Sequence, residues 1–337
     1  MIDLDRAKFV VWGFKNLYRT HTHIHAGFFR TLQGMGKDAQ WLDAGDDTSD
    51  IDFSNTFFIT EHEEARRGMP LRDDCFYTVH GMNDDGALKD KMSAAFGRPF
   101  ADIKNRLGWN VYHDFSHSHG LGGTRMKFGG ELLSPVNLAD AVELDEDVMF
   151  YPQERHMDFR WATDLLPEEI QKNKPTKVFR DTSDVIHYIG TLWFVNQTEI
   201  AAFKRACDEN KIRFEMSGAG QNGIVTREDN EKLVKDSYMA PAISGSHHLT
   251  EGYAPCRIFK NISYGQYGVT NSDRVQKIFG GKLIFNPDPY KLFYEARERL
   301  QSTTLDDLHK LMDEVAAKHT YVNRINNILT AARLVLG

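Results

Sequence analysis

The feature that most constrains this chain is a strand-and-helix rhythm that starts twice. KFVVWGF, residues 8–14, is an apolar, β-branched run; a polar loop follows, then the helical pattern AGFFRTLQGMG ending at Gly36, then the apolar piece QWLDA. A strand, loop, helix, strand unit of this kind builds parallel sheets. NTFFIT (55–60), DCFYTVH (74–80), GWNVYH (108–113) and VMFYPQ (148–153) continue it as short buried strands. The polar segment from Pro167 to Asp184 has the Pro, Lys and Asp content of a connection between domains. Beyond it the rhythm restarts: DVIHYIGTLW as strand, TEIAAFKRACDEN as helix, KIRFEMSG as strand, REDNEKLVKDS as helix, then YMAPAIS, CRIFKNISYG and YGVTN as strand, helix and strand. A restart at mid-chain favours two similar three-layer domains over one barrel, and 337 residues is long for a single core. The expected fold is therefore α/β with two Rossmann-like domains, at residues 1–175 and 184–318, and a last helical segment at 319–337.

Composition narrows the function. A net charge of −7 with scattered basic residues argues against a general nucleic-acid binder, which carries a basic excess or stripe. No apolar run approaches the roughly 18–20 residues of a membrane span, and MIDLDRAKFVVWGF lacks the layout of a signal peptide. Cys75, Cys207 and Cys256 are far apart and odd in number, which suits reduced thiols. The expectation is a soluble, cytoplasmic protein with neither membrane span nor nucleic-acid partner.

The segment from Ser246 onward reads SHHLTEGYAPCRIFKNISYGQYGVTNS, then a lobe KIFGGKLIFNPDPYKLFYEARERL, then the tail KHTYVNRINNIL. A polar loop with an acid, a Pro and Arg opening a helix, a Gly before a strand ending in Thr-Asn, and a closing His-Thr-Tyr with an Arg resemble the C-terminal half of GT-B glycosyltransferases, especially the bacterial spore-coat-maturation-like group. The resemblance covers roughly the last 90 residues well and is architectural over the N-terminal half. It implies two domains facing each other across a cleft, a C-terminal helix returning to the N-domain, a nucleotide-sugar donor on the second domain, and a glycan or other hydroxyl acceptor on the first.

Physical chemistry agrees with that implication. A ribose diol donates hydrogen bonds to a carboxylate, and a diphosphate is stabilised by cations and helix N-terminal N–H groups. The resemblance gives Glu251 the ribose, and Arg257 and Lys260 the diphosphate. The plain alternative is a solvated helix face with a capping Glu. Gly190 and Thr191 after the second domain's first strand, Ser217 and Gly218 after its next, and Ser244, Gly245 and His247 lie where a parallel sheet's carboxyl edge is open to ligands. Some configuration-retaining GT-B families carry two Glu separated by seven residues. Here Phe259 stands eight after Glu251, which favours inversion.

THTHIHAG, Thr20–Gly27, sits between the first strand and first helix. In the GT-B reading this loop supplies the general base of an inverting transfer: His23, with His21 and His25 as alternates, kept neutral by a helix start. Plain loop or core histidines are the alternative. A different class is a metal-dependent hydrolase, whose H-x-H pattern the cluster resembles; a third is a catalytically silent nucleotide-sugar-binding protein. Glu61, His80, Asp114 and His117 are candidate acceptor-site residues, with His62, Glu63 and His119 beside them. Asp158–Asp164 receives no role. No cofactor or metal is expected beyond the nucleotide-sugar co-substrate, since Arg257 and Lys260 would neutralise the leaving diphosphate.

Overall fold

The computed structural model describes residues 2–15, 20–111, 124–126, 132–135, 141–146, 148–178, 183–190, 196–218, 225–250 and 252–337. The chain divides into two compact units, Met1–Arg160 with Tyr321–Gly337, and Trp161–Thr320. Both are α/β.

The first unit contains β1 (Lys8–Trp12), α1 (Thr20–Gly34), β2 (Ala39–Leu42), β3 (Thr56–Glu61), α2 (His62–Ala65), β4 (Phe76–His80), α3 (Gly86–Phe96), β5 (Arg106–Val111), β6 (Thr124–Met126), β7 (Leu132–Pro135), β8 (Val142–Asp145), β9 (Val148–Tyr151) and β10 (His156–Phe159). Its main sheet runs β2-β1-β3-β4-β5-β10-β9-β8; the pairs from β2 through β10 are parallel and the last two antiparallel. The central parallel strands β3 and β4 are buried on both faces, which is why TFFITE and FYTVH are apolar without alternation. Phe57 stacks on its register partner Phe76 with ring centroids 5.4 Å or less apart, at 5.2 Å, and Phe58 on Tyr77 at 5.4 Å. VMFY, expected to continue the parallel pattern, is antiparallel instead. Only Pro152–Arg155 separates it from HMDF, and a connection that short returns a strand antiparallel. HMDF, β10, is the strand that continues the parallel run beside β5.

The second unit contains α4 (Pro167–Lys172), β11 (Val185–Ile189), α5 (Gln197–Glu209), β12 (Arg213–Ser217), α6 (Arg227–Asp236), β13 (Pro241–Ala242), α7 (Ser246–Thr250), α8 (Cys256–Ser263), β14 (Val269–Thr270), α9 (Asp273–Ile278), β15 (Ile284–Phe285), α10 (Pro289–Ser302) and α11 (Leu305–Lys318). The polar segment read as a connection opens as α4: Pro167 stands at the helix start, and Glu169 accepts a hydrogen bond from the Leu166 N–H at 2.8 Å. Ile170 on this helix belongs to the unit's core. β11 and β12 pair in parallel, as do β13, β14 and β15. The chain entering β13 runs beside β11, with the Tyr238 N–H on the Val185 carbonyl at 2.7 Å and the His187 N–H on Ser237 Oγ at 3.0 Å. β12-β11 and β13-β14-β15 are separate ladders, and these two bonds set them side by side in the order β12-β11-β13-β14-β15, the counterpart of β2-β1-β3-β4-β5. In such sheets the order reverses after the first strand, and ligands bind outside the carboxyl ends at that switch point.

The tail motif is structural within each unit. His319 packs its ring on Phe259 at 4.8 Å, and the Thr163 N–H donates to its carbonyl at 2.9 Å. The final helix, α12 (Tyr321–Leu336), belongs to the first unit: Tyr321 packs on Phe28 of α1 at 4.7 Å, and buried Arg324 donates through Nε to the Arg160 carbonyl at 2.7 Å.

Candidate functional site

The first unit's switch point lies between the ends of β1 and β3. After β1 the backbone turns through Gly13 and Phe14, both left-handed at φ +89° and +57°. A Cβ at Gly13 would overlap the Glu64 side chain, so only glycine fits this turn. The Gly13 carbonyl, pointed inward, accepts from His25 Nδ1 and from Trp41 Nε1, each at 2.9 Å.

The histidine cluster is not a loop: it forms the first two turns of α1. At about 100° per residue, alternate positions diverge while i and i+4 share a face. His21 and His25 accordingly both meet Phe14, His21 stacked at 5.1 Å and His25 edge-on at 5.2 Å, whereas His23 is exposed. The three cannot converge on one ion. Among the described residues no group of three or more His, Cys, Asp and Glu is placed to hold a metal.

Three predicted residues do come together. The His21 ring lies 5.8 Å from that of His80, which ends β4 and packs on Trp109 at 4.6 Å. His80 is the register partner of Glu61 at the end of β3. Glu61 is buried; its Oε2 accepts from the Glu63 N–H at 2.9 Å, and its Oε1 pairs with His62 Nε2 at 2.8 Å. His62 Nδ1 meets Asp85 Oδ2 at 2.6 Å. With a carboxylate on each nitrogen, the two-donor imidazolium is the form that satisfies both.

The electrostatics follow from these contacts. Burial raises the Glu61 carboxyl, but the charges of His62 and then His21 outweigh it and the net shift is downward. Burial likewise lowers His62 while Glu61 and Asp85 raise it, and the net is upward. His25 is lowered to about 4 by burial, against the pull of the Gly13 carbonyl, and His80 falls well below the ordinary value by burial and neighbouring histidines. At neutral pH His25 is neutral, its proton on Nδ1.

The second unit's switch point lies between the ends of β11 and β13. Arg257, in the first turn of α8, reaches the end of β11: Nε donates to the Ile189 carbonyl at 2.9 Å, Nη1 to Tyr188 Oη at 2.6 Å, and the guanidinium lies over the Tyr188 ring at 4.1 Å. A Cβ at Gly190 would collide with Nη2, and one at Gly218 would stand 2.6 Å from the Gly190 carbonyl. At the end of β13 the Asn271 amide clamps the Ser244 backbone on both sides, each bond 2.8 Å, while the buried Ser244 Oγ has no hydrogen-bond partner among the described residues.

Lys260 does not join Arg257 there. Its ammonium is buried and pairs with Asp164 at 3.3 Å, and Asp164 also accepts from Tyr264 Oη at 3.4 Å. Burial lowers Lys260, but Asp164 leads the effects that leave it raised. Asp164, given no role from sequence, is the reason. Thr191, Glu251, Asp114, His117 and His119 lie outside the described residues, as does the side chain of His247. Sequence reasoning missed Tyr188 and Asp85. The Asp before GALKDKM is a helix N-cap signal, accepting from the Leu88 N–H at 2.9 Å. Tyr188 gave no signal within an apolar strand.

No protein-family model matches the chain, and no curated protein matches it in sequence. Solved structures do match. An alpha-glucosyltransferase in complex with UDP and a 13-mer DNA containing a HMU base is similar over 95% of this chain and 99% of its own, at 11% identity and a TM-score of 0.49. The trehalose-6-phosphate synthase OtsA matches over 82% and 74%, at 10% identity and 0.40. A trehalose-6-phosphate synthase studied with bisubstrate glycomimetics for glycosyltransfer with retention matches over 98% of each chain, at 10% identity and 0.44.

Proposed function

We propose that this chain is a nucleotide-sugar-dependent glycosyltransferase of the GT-B type, with the donor held by the second unit and the acceptor served by the first. One observation carries the reading: Arg257 is anchored at the carboxyl edge of the second unit's parallel strands, at the switch point, against a glycine that leaves room for it. A guanidinium fixed there suits a diphosphate, whose oxygens accept its N–H groups and whose charge it offsets. The buried Ser244 Oγ at the same edge supports a polar ligand, since leaving a buried hydroxyl unmatched costs about 1–3 kcal/mol. Glu251 remains the proposed ribose partner. Lys260 contributes through its pair with Asp164 rather than as a second phosphate ligand.

The proposed chemistry is inverting and independent of metal. An acceptor hydroxyl attacks the anomeric carbon, its proton passes to an imidazole, and the bond from that carbon to the diphosphate oxygen breaks with the electron pair leaving on the nucleoside diphosphate. Of the three α1 histidines, His21 fits the base best. Its ring faces His80, and the Glu61 carboxylate acts on it electrostatically, favouring the protonated form that accepting a proton creates. His25, lowered to about 4, is a weak base, and exposed His23 stands on the opposite face. Incubation with a panel of UDP-, GDP- and ADP-sugars and simple hydroxyl acceptors tests the reading. Transfer or donor hydrolysis supports it; donor binding with neither would point to a catalytically silent binding protein.

A further inference from the structure

Three protein contacts converge on the Arg257 guanidinium, and they leave one nitrogen over. Nε is committed to the Ile189 carbonyl and Nη1 to the Tyr188 hydroxyl, while the Tyr188 ring lies beneath the guanidinium plane. The Tyr188 hydroxyl is itself fixed, donating to the Ile243 carbonyl at 3.2 Å, so its lone pair is presented to Nη1. Burial pushes the Tyr188 phenol up, which keeps it a neutral donor and acceptor. Nη2 occupies the space where any residue but glycine would place a Cβ at position 190, and among the described residues nothing accepts a hydrogen bond from it.

From this geometry we propose that Tyr188 and Gly190 are positioning residues of the donor site: they hold the Arg257 guanidinium so that Nη2 is directed at the diphosphate of an incoming nucleotide. The inference rests on the donor-site reading above and extends it to residues that need not touch the ligand. Its physical content is pre-organisation. A long arginine side chain that must be ordered on binding loses rotamer freedom at that moment, whereas one already fixed by its own protein has lost it on folding. The ring supplies the platform, the hydroxyl sets the rotation about that platform, and the missing Cβ opens the path.

The test measures binding of UDP, GDP and ADP, and of uridine, guanosine and adenosine, to the full chain by titration calorimetry. Five forms are compared: wild type, Tyr188→Phe, Arg257→Ala, the double variant of these two, and Gly190→Ala. Tyr188→Phe keeps the buried ring and removes only the hydroxyl, so folding is preserved; matched thermal midpoints check this. The expected result is a roughly tenfold weaker nucleoside diphosphate with nucleoside affinity unchanged, the size of one lost hydrogen bond to a charged group. In the Arg257→Ala background the Tyr188→Phe loss should vanish, because the tyrosine acts only through the arginine. Gly190→Ala, whose Cβ displaces Nη2, should weaken the diphosphate as much as Arg257→Ala does. If Arg257→Ala weakens binding and Tyr188→Phe does not, the positioning role is overturned while the donor site stands. A Tyr188→Phe loss that persists without Arg257, or that affects nucleosides equally, also overturns it. Failure of wild type to bind any of the diphosphates overturns both readings.

Discussion

The two units repeat one strand order and expose the same edge of it, yet they furnish that edge with different chemistry. At the first unit's switch point stand His21, His80, Glu61 and His62, side chains whose chemistry is proton transfer. At the second unit's stands Arg257, which holds its charge throughout. The same backbone logic therefore yields a proton-handling edge in one unit and a fixed-charge edge in the other. Topology thus selects where a ligand can sit, and the side chains emerging at the strand ends decide what is done with it.

The largest effect that would break this contrast is loss of the base. His21→Ala should lower transfer by about 10²–10⁴ while leaving nucleotide binding intact, the range for removing a positioned general base. His23→Ala should do little. If instead His23→Ala abolishes transfer and His21→Ala does not, the exposed face of α1 is the working one. Next in size, Arg257→Ala should weaken nucleoside diphosphate by about 10–100-fold and spare the nucleoside. Because a guanidinium does not titrate in this range, wild-type diphosphate affinity should be flat between about pH 7 and 9. The transfer rate should instead rise with pH through the base's titration, and a parallel pH dependence of both would erase the distinction drawn here.

Stability should carry the same signature, more weakly. His25 is held near 4 in the fold against 6.5 in the unfolded chain, so between those values the unfolded state takes up the proton first. Its contribution is present above pH 6.5 and is lost as pH falls toward 4, by up to about 3 kcal/mol. His25→Asn, which can still donate to the Gly13 carbonyl, should flatten acid unfolding in that window, measured by urea midpoints at each pH. His62 has the opposite sign. Its value is raised in the fold, so its contribution is complete below the unfolded value and is lost as pH rises through the folded one. His62→Gln should remove that neutral-side slope, the smallest of these effects because the ring is partly exposed to solvent.

How much of this was legible in the sequence differs between the units. Both strand rhythms were, because parallel strands buried on two faces read as continuous apolar runs. The helix that carries Arg257 was, because it opens after Pro255; the role given to Arg257 came from the resemblance. The histidine cluster was misread as a loop because H-x-H alternation suggests an extended chain, whereas Thr20–Gly34 is helix and the alternation separates the rings. β10 and α4 were missed: HMDF is too polar to read as a buried strand, although His156 finds Asp158 at 3.1 Å, and PEEIQK is too polar to read as packed. The resemblance gave Lys260 the diphosphate, in keeping with its three-residue spacing from Arg257; that Asp164 would claim it, across 96 residues of chain counted from 164 to 260, is a tertiary fact. The Tyr188–Arg257 bond spans 69 residues for the same reason.

In the proposed function the second unit's edge receives a nucleoside diphosphate joined to a sugar and the first unit's edge removes the acceptor proton. The most direct measurement is release of nucleoside diphosphate from a panel of nucleotide sugars with hydroxyl acceptors, comparing wild type with His21→Ala and Arg257→Ala. Wild type should release nucleoside diphosphate from at least one donor, His21→Ala should lose turnover with donor binding retained, and Arg257→Ala should lose donor binding. No binding and no release from any donor by wild type, or equal turnover by all three proteins, would contradict the proposed function.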